Sequence, residues 1–321
     1  MSSRERNAHG AETTTEQVTQ GLDLEGRVAL VTGASGGLGA ETARALAARG
    51  ASVTLSARDV AKAEGVAEEI RSSTGNPRVD VLELELTRTA SIRAAAERWL
   101  GEHEKLHWLV NNAGIMACPL ERTSEGYELQ MATNHFGHFL FTGLLVPALR
   151  KSAPSRIVNL SSAGHRMSDV VLEDLHYENR PYDKWESYGQ SKTANILFSV
   201  ELNRRLADHG VTANAVHPGM ILTELGRHLD EADIKELMAR RPDRSEMVWK
   251  SVEAGAATSV WACVAPELEG AGGLYLEDCQ VAAKRESEEE AEGYAPWAIN
   301  PDTARKLWDV SERAVGEHFN F

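Results

Sequence analysis

A glycine-rich stretch near the N-terminus, GRVALVTGASGGLGAETARALAARG, constrains the fold more than any other part of the chain. It begins with a β-branched run, Val28 to Thr32, and ends in residues with helical spacing, Leu38 to Ala47. Between them, Gly33, Gly37 and Gly39 allow the backbone to turn tightly and to approach a pyrophosphate at the N-terminus of the helix, where N–H groups are free. The stretch therefore predicts a strand, a glycine turn and a helix that bind a dinucleotide.

The spacing of these glycines fits two branches of nucleotide-dependent enzymes. The residues from Thr32 to Gly39 read TGxxxGxG, but Gly36 makes them also satisfy TGxxGxxG. From this motif alone, both branches stay open.

The segment ASVTLSARD predicts a second strand that ends near Ala57, where the adenosine ribose of the dinucleotide would lie. In an NAD site an acidic side chain at this place binds the ribose hydroxyls and repels a 2′-phosphate. Here Arg58 follows Ala57, and its guanidinium can form a bidentate contact with a 2′-phosphate, so we favour NADP(H), with NAD(H) as the alternative. Asp59 supports NAD by its distance from the glycines, but we interpret it as the N-cap of the next helix.

Further strands and helices alternate along the chain, in VDVLELEL, TASIRAAAERWLGEH, LHWLVNNAG, RIVNLSSAGH and VTANAVHPG. Such alternation is typical of an α/β fold with a parallel sheet and helices on both faces. We predict a single Rossmann-type domain, a doubly wound parallel sheet of about seven strands. Asn112 and Gly114 follow the fourth strand, at the edge of the sheet where ligands bind in such folds.

The segment YGQSK places Tyr188 and Lys192 four residues apart at the start of a long amphipathic stretch. On a helix the two side chains share a face, so the ammonium is expected to favour the phenolate and to lower the pKa of the tyrosine. Tyr188 would then serve as a general acid/base. Alone, the spacing is also that of an ordinary amphipathic helix.

The predicted helix GYELQMATNHFGHFLFTGLLVPALR carries Asn134 in its middle, where asparagine is unfavourable unless its side chain has a partner. Either a structural hydrogen bond or a bent helix that holds a water would explain it. His135 and His138 lie three residues apart without a third ligand, so we predict no metal site.

The net charge of −14 argues against nucleic acid and anionic membranes as partners. Three distant cysteines suggest neither disulfides nor a metal site, and they fit a reducing compartment. The longest apolar run, Phe136 to Leu149, is too short for a membrane span. Because the first residues lack the apolar region of a secretory signal, we expect a cytoplasmic protein.

Several motifs in order resemble the short-chain dehydrogenase/reductase family, in its single-domain branch: TGASGGLG, NNAG, Asn134, the serine pair after NL, YGQSK and HPGMILT. The resemblance covers about residues 26–226, and within the family it is to the retinol-dehydrogenase-like and related bacterial oxidoreductases. NNAG and HPG settle the glycine spacing against the extended, epimerase-type branch.

The resemblance implies a catalytic tetrad of Asn134, Ser162, Tyr188 and Lys192. Tyr188 would exchange a proton with the substrate oxygen, which Ser162, rather than Ser161, would orient. Lys192 would bind the nicotinamide ribose, and Asn134 would hold a water. The implied cofactor contacts are Gly33, Ser35, Gly37, Leu38, Gly39, Arg58, Leu86, Asn112, Gly114, Tyr188, Lys192, Pro218, Gly219, Ile221 and Thr223.

One residue departs from the family pattern. Glu85 stands where the family usually has an aspartate near the adenine, and its longer side chain puts that contact in doubt.

The predicted organisation has three parts: a disordered tail at 1–22, the oxidoreductase domain at 23–280, and a partly helical C-terminal extension at 281–321 with a helix over Asp302 to Val315. The domain includes a substrate lid at 220–250. The extension would cover either the pocket or a subunit contact, so a homo-oligomer stays open.

Ile234, Leu237 and Met238 lie on one face of a helix predicted in the lid. This face either closes an apolar pocket or packs on its own domain. Three aromatic residues precede Tyr188: Tyr177, Tyr182 and Trp185. They either wall the pocket or anchor a loop.

We therefore expect an oxidoreductase that interconverts a carbonyl compound, a fairly bulky and apolar ketone or aldehyde, and its alcohol with NADP(H). Two other classes stay open at this point: a catalytically silent dinucleotide sensor or scaffold, and an epimerase or lyase with tightly bound NAD.

Overall fold

A central sheet runs through the part of the chain that the computed structural model describes, residues 9–226, 229–240 and 249–321. Its strands are β1 (Val28–Thr32), β2 (Ser52–Ala57), β3 (Val79–Glu83), β4 (Trp108–Asn111), β5 (Ser155–Leu160), β6 (Val211–His217), β7 (Tyr275–Glu277) and β8 (Gln280–Val281). In space they follow the order β3-β2-β1-β4-β5-β6-β7-β8, in which β1 to β7 pair in parallel and β8 pairs antiparallel with β7. The predicted doubly wound α/β fold is confirmed.

Helices in the described part of the chain connect these strands. They are α1 (Thr15–Thr19), α2 (Gly37–Ala47), α3 (Val60–Thr74), α4 (Thr89–Glu102), α5 (Leu129–Met131), α6 (Gly137–Lys151), α7 (Lys184–Leu206), α8 (Glu231–Arg240), α9 (Val252–Val264) and α10 (Pro301–Val315). A π-helical turn, Ala132–Phe136, joins α5 to α6. None of these helices has both the length and the apolar character that crossing a membrane requires.

The helices cover both faces of the sheet, and each face has its own apolar core. On β1, Leu30 points into the core shared with α4, α6, α7 and α10, whereas Ala29 and Val31 point into the core shared with α1, α2, α3 and α9. Alternate strand residues lie on opposite faces, and a parallel sheet is buried on both. The carboxyl ends of β1, β4, β5 and β6 therefore meet at one edge of the sheet, between the two layers of helices.

Aspartates cap two helices that flank this edge. The Asp59 carboxylate accepts a hydrogen bond from the Lys62 N–H at 3.0 Å, which confirms Asp59 as the N-cap of α3. Asp183 caps α7 by accepting from the N–H groups of Trp185 and Glu186. Such bonds satisfy backbone donors that a helix start leaves without partners.

The N-terminal segment differs from the predicted disordered tail at 1–22, of which residues 1–8 lie outside the described ranges. Thr15–Thr19 forms α1, which begins with a reciprocal capping box between Thr14 and Gln17. Val18 is buried in the core beside α2 and α9. The prediction was wrong here because it overlooked the sequence signature of a capped helix, which Thr14, Gln17 and Val18 carry.

The C-terminal extension packs on its own domain. Its predicted helix is confirmed as α10, which buries Leu307 and Trp308 against α6 and α7; the Trp308 and Phe139 rings lie 4.8 Å apart. Farther along, the Phe319 ring covers Gly143 so closely that a Cβ there would stand 2.2 Å from it. The extension therefore completes the core on this side of the sheet.

Candidate active site

Ser162 and Tyr188 meet just beyond the carboxyl end of β5. Tyr188 lies in the first turns of α7 and is 3% exposed. A Cβ on Gly164 would stand 2.6 Å from Tyr188 Cε1 and 3.4 Å from Ser162 Oγ, so the bare glycine backbone lets the ring approach the serine. The neighbouring Ser161 is turned away, since its hydroxyl donates to the Lys192 carbonyl at 2.8 Å.

Lys192 follows one turn after Tyr188 and is also buried. Its Nζ lies 5.7 Å from the centroid of the Tyr188 ring and donates to the Leu160 carbonyl at 3.2 Å. A Cβ on Gly114 would stand 3.4 Å from this Nζ and 3.3 Å from Asn134 Oδ1. The turn after β4, the π-turn and α7 therefore converge on the lysine.

The pKa values of the pair are set by burial. Burial raises the pKa of Tyr188 to about 12, against the hydrogen bond with Ser162, which lowers it. Burial also lowers the pKa of Lys192 to about 8. The direction for Tyr188 is opposite to the one predicted from helical spacing, because removing the phenol from water disfavours its charged form. In this state Tyr188 is a proton donor.

Asn134 lies in the π-turn, and its side chain has partners on two other segments. Oδ1 accepts from the Ile115 N–H at 2.9 Å, and Nδ2 donates to the Ile115 carbonyl at 3.0 Å and to Ser191 Oγ at 2.9 Å. Ser191 in turn donates to the Tyr188 carbonyl. The structural hydrogen bond that the sequence offered as one alternative is therefore present, and it lies in a π-helical turn; the water of the other alternative stays a prediction. π-Turns are often found at functional sites.

The glycine turn has the geometry that a pyrophosphate needs. Gly33 and Gly37 have φ of 65° and 56°, values that favour glycine, and α2 begins at Gly37 without a side-chain cap on its first N–H groups. Asn112 Nδ2 donates to the carbonyls of Thr32 and Gly33 and anchors the turn to the end of β4. A cofactor phosphate therefore fits the donors at this helix start.

Other predicted cofactor residues gather around this turn. Thr223 Cγ2 lies 3.6 Å from the place of a Cβ on Gly37, and the Ile221 and Leu38 side chains both cover Gly255. Gly39 is packed against Asn112 and Gly33, and Ser35 lies half-buried within the glycine turn. Pro218 and Gly219 are half-buried just after β6, and Gly219 lies beside the Lys250 side chain. Leu86 differs from these residues, because its side chain is directed into the core, where it is buried against Gly137.

At the end of β2, Arg58 is exposed over 78% of its side chain. Its Nε lies 3.6 Å from a Glu85 carboxylate oxygen, and the other Glu85 oxygen accepts from the Thr87 N–H. Lys62 Nζ lies 3.9 Å from the place of a Cβ on Gly36. Lys62 therefore stands beside the glycine turn, and Arg58 lies exposed at the end of the neighbouring strand β2.

The described part of the predicted lid, 220–226, 229–240 and 249–250, is tied to the start of α7; residues 227, 228 and 241–248 lie outside the described ranges. Lys184 forms an ion pair with Asp233, and Arg240 pairs with Asp183 at 2.6 Å. Ile234 and Met238 on α8 are 46% and 39% exposed, so this apolar face is not buried in the described structure. The helix is thus held at Asp183 and Lys184, which precede Tyr188 by about one helical turn in the chain.

The aromatic segment before Tyr188 anchors a loop rather than walling a pocket. Trp185 is fully buried, and Tyr177 is covered by the Arg180 guanidinium at 3.8 Å from the ring centroid. The Tyr182 hydroxyl donates to the Cys118 carbonyl at 2.9 Å.

Three residues that the structure brings into the site escaped sequence reasoning: Gly164, Lys62 and Ser191. Gly164 is the second residue after the serine pair, and Lys62 lies four residues after Arg58, so their positions were available signals. Ser191 was not readable, because its partner Asn134 is 57 residues away.

Known proteins resemble this chain along most of its length. A family model described as short chain dehydrogenase matches residues 27–234. Retinol dehydrogenase 12 of Mus musculus is 43% identical over 301 residues, which cover 93% of this chain and 89% of that protein. Short-chain dehydrogenase/reductase prx1 of Penicillium rubens is also 43% identical, over 90% of this chain and 84% of that protein.

Solved structures share the fold. An uncharacterized protein from Mycobacterium paratuberculosis superimposes with a TM-score of 0.72 at 32% identity, over 95% of this chain and 98% of that chain. Pseudomonas aeruginosa RhlG, in its NADP active-site complex, gives a TM-score of 0.63 at 25% identity, over 79% and 95% of the two chains.

Proposed function

The chain belongs to the short-chain dehydrogenase family, NAD(P)-dependent oxidoreductases that act on CH–OH groups, and from this premise we propose that it interconverts a bulky apolar carbonyl compound and its alcohol with NADP(H). The observation that carries the proposal is the cluster of half-buried Ser162 with buried Tyr188 and Lys192, the last of which lies beside Gly114 in the turn after β4. No carboxylate lies among the contacts described for these three side chains, so a neutral phenol and a cation face the same space.

In the direction of reduction, Tyr188 donates its phenolic proton to the carbonyl oxygen, while the Ser162 hydroxyl hydrogen-bonds that oxygen and orients it. With a pKa of about 12, Tyr188 is protonated across the working pH range. Lys192 holds a positive charge below a pKa of about 8 and stabilises negative charge that develops on the phenol. The nicotinamide, when bound, supplies or accepts the hydride.

The preference for NADP(H) rests on Arg58 and Lys62, which flank the glycine turn on the side of β2. The Arg58 side chain is 78% exposed and pairs with Glu85 at 3.6 Å, so its guanidinium is accessible to a 2′-phosphate. An acidic residue of NAD type is missing from this place, because the Asp59 carboxylate caps α3.

The apolar substrate class rests on the lid. Within the described part of the lid, Leu222, Ile234, Met238 and Trp249 are exposed apolar side chains in a chain of net charge −14. Several exposed apolar side chains on one segment favour contact with an apolar ligand or partner. Retinol, the alcohol in the name of the mouse relative, is a bulky apolar molecule of this kind.

The test is NADPH and NADH oxidation by the purified protein with a panel of aldehydes and ketones of increasing size. We expect bulky apolar carbonyls to be reduced with NADPH. Arg58→Asp should raise the KM for NADPH by about 10- to 100-fold, because a hydrogen bond to a charged group is worth roughly 1.5–3 kcal/mol. Tyr188→Phe should lower kcat by about 10²–10⁴-fold while NADPH still binds.

The matched control is Arg98→Asp, since Arg98 is likewise exposed and pairs with a glutamate, Glu102, at 3.4 Å. It lies on α4, remote from the glycine turn, and should leave both KM values unchanged. Equal use of NADPH and NADH by the wild type, or full turnover by Tyr188→Phe, would contradict the proposal. Turnover of small polar sugars but of no bulky carbonyl would contradict the substrate class.

A further inference from the structure

Two buried histidines three residues apart, His135 and His138, have different surroundings. His135 Nε2 lies 2.8 Å from Ser311 Oγ on α10, on the side of the core away from the glycine turn. His138 faces the opposite way and contacts Thr32 and Asn134. One ring thus belongs to the packing of the C-terminal helix, and the other lies beneath the active site.

The Thr32 hydroxyl determines the hydrogen bonds of His138. Its oxygen accepts from the N–H groups of Asn112 at 2.9 Å and of Ala113 at 3.0 Å, which occupies both lone pairs. Only its own proton remains for the contact with His138 Nε2 at 2.9 Å. Thr32 is therefore the donor in this contact, and Nε2 is an acceptor without a proton.

The other ring nitrogen then carries the proton. His138 Nδ1 lies 3.0 Å from the Asn134 carbonyl oxygen, so Nδ1–H donates to it. Burial lowers the pKa of His138 to about 4, and the charged or titratable groups that act on the ring are Lys192 from α7 and His135 from the same helical segment. The ring is consequently neutral and a single tautomer, set by its two partners.

The hydrogen bonds from Thr32 to His138 and from His138 to Asn134 form a bridge. This bridge joins three segments that surround the reacting groups. Thr32 ends β1 and precedes the glycine turn, Asn112 and Ala113 form the turn after β4, and Asn134 lies in the π-turn. Asn134 is held at its side chain by Ile115 and Ser191, and at its carbonyl by His138.

We propose that His138 is a positioning residue of the active site, which as the Nδ1–H tautomer fixes the Asn134 carbonyl and the turn after β4 relative to each other. The proposal deepens the proposed function and rests on it. Gly114 follows Ala113 in the turn after β4 and lies beside both Asn134 Oδ1 and Lys192 Nζ, so the bridge sets the position of the lysine ammonium through this glycine.

The first test is nitrogen-15 NMR of the histidine rings, which needs no substrate. The His138 signals are identified by their absence in His138→Gln. We expect Nδ1 to be protonated and Nε2 unprotonated from about pH 6 to about 9, and the tautomer preference to weaken in Thr32→Val. A proton on Nε2, a charged ring, or an unchanged preference in Thr32→Val would overturn the proposal, whether or not any carbonyl is reduced.

The second test is kinetic. His138→Phe should lower kcat by about 10- to 100-fold, the scale of an approximately 1 Å misplacement of catalytic groups, with a smaller change in NADPH dissociation constant. His138→Gln can still accept and donate hydrogen bonds, so its kcat should lie between those of His138→Phe and the wild type. Thr32→Val should lower kcat more than Thr32→Ser, and its effect should not multiply with that of His138→Phe.

His135→Gln is the matched control, because it changes a buried histidine in the same helical segment on the side away from the site. It should lower the free energy of unfolding and leave kcat within about twofold. Equal losses of kcat in His135→Gln and His138→Phe, or multiplicative losses in the Thr32→Val/His138→Phe double variant, would refute a positioning role. A wild type without any turnover would refute the proposed function instead, and the NMR result would still decide the bridge. If His138→Phe does not fold, the two Thr32 variants supply the kinetic comparison.

Discussion

Lys192 should destabilise the fold that it serves. A buried ammonium whose pKa is about 8 instead of 10.5 is destabilising by about 3 kcal/mol at neutral pH, since each pKa unit corresponds to about 1.36 kcal/mol. Its ammonium donates a hydrogen bond to the Leu160 carbonyl, which also accepts from Asn195 Nδ2 at 2.9 Å. Lys192→Met would therefore remove the buried charge and leave that carbonyl satisfied.

We expect Lys192→Met without cofactor to be more stable than the wild type by about 2–3 kcal/mol at about pH 7, and to have lost turnover. The pH dependence follows from the lowered pKa of Lys192. Between 8 and 10.5 the unfolded chain binds more protons at Lys192 than the folded chain, so wild-type stability rises with pH across this window. The advantage of Lys192→Met should therefore shrink by about 1 kcal/mol from about pH 7 to about pH 9.

The assay is urea unfolding of both proteins at several pH values, with the difference between them taken at each pH so that the other titrating groups cancel. Tyr188→Phe is the control, because this phenol has a pKa of about 10 in the unfolded chain and about 12 in the folded chain, so it stays protonated in both from about pH 7 to about pH 9. Its difference from the wild type should stay constant. A Lys192→Met variant less stable than the wild type at neutral pH, or an advantage that does not change with pH, would refute the reasoning.

Three further predictions concern the lid and two glycines. Lys184→Glu should raise the substrate KM by about two- to fivefold, because a partly exposed ion pair contributes roughly 0.2–1 kcal/mol. Adding Asp233→Lys should restore the KM, and a double variant with a KM as high as that of Lys184→Glu would exclude a role of this ion pair in substrate binding. Gly164→Ala should lower kcat by about 10- to 100-fold, measured at saturating NADPH, since its Cβ would stand 2.6 Å from the Tyr188 ring. Gly65→Ala lies inside α3 with nothing within 4 Å of its Cβ, so it should raise the free energy of unfolding by about 0.5–1 kcal/mol at unchanged kcat; destabilisation would contradict this.

Much of the site could be predicted because its signals are local. The bounds of β1, the end of β2 at Ala57 and the cap at Asp59 follow from β-branched residues, glycines and capping chemistry within a few positions of each other. The four-residue spacing of Tyr188 and Lys192 likewise placed them together on α7. Such features depend on backbone geometry that neighbouring residues determine.

The features that were missed or reversed depend on what approaches from elsewhere. The pKa of Tyr188 is raised rather than lowered because α7 is buried, and burial is a property of the assembled layers. The same holds for α1, whose capping signal was readable but whose stability comes from Val18 packing beside α9. Helices this short are not stable without such tertiary contacts.

The sequence by itself therefore determined the order of strands and helices, the glycine turn and the residues that converge at the carboxyl edge of the sheet. Only the tertiary structure decided in which direction burial shifts the pKa values of Tyr188 and Lys192, and which of two histidines lies beneath the site. The reason is that periodicity specifies the face of an element, whereas hydrogen-bond partners and desolvation come from residues far away in sequence. His138 shows this plainly, because its partner Thr32 lies 106 residues earlier in the chain.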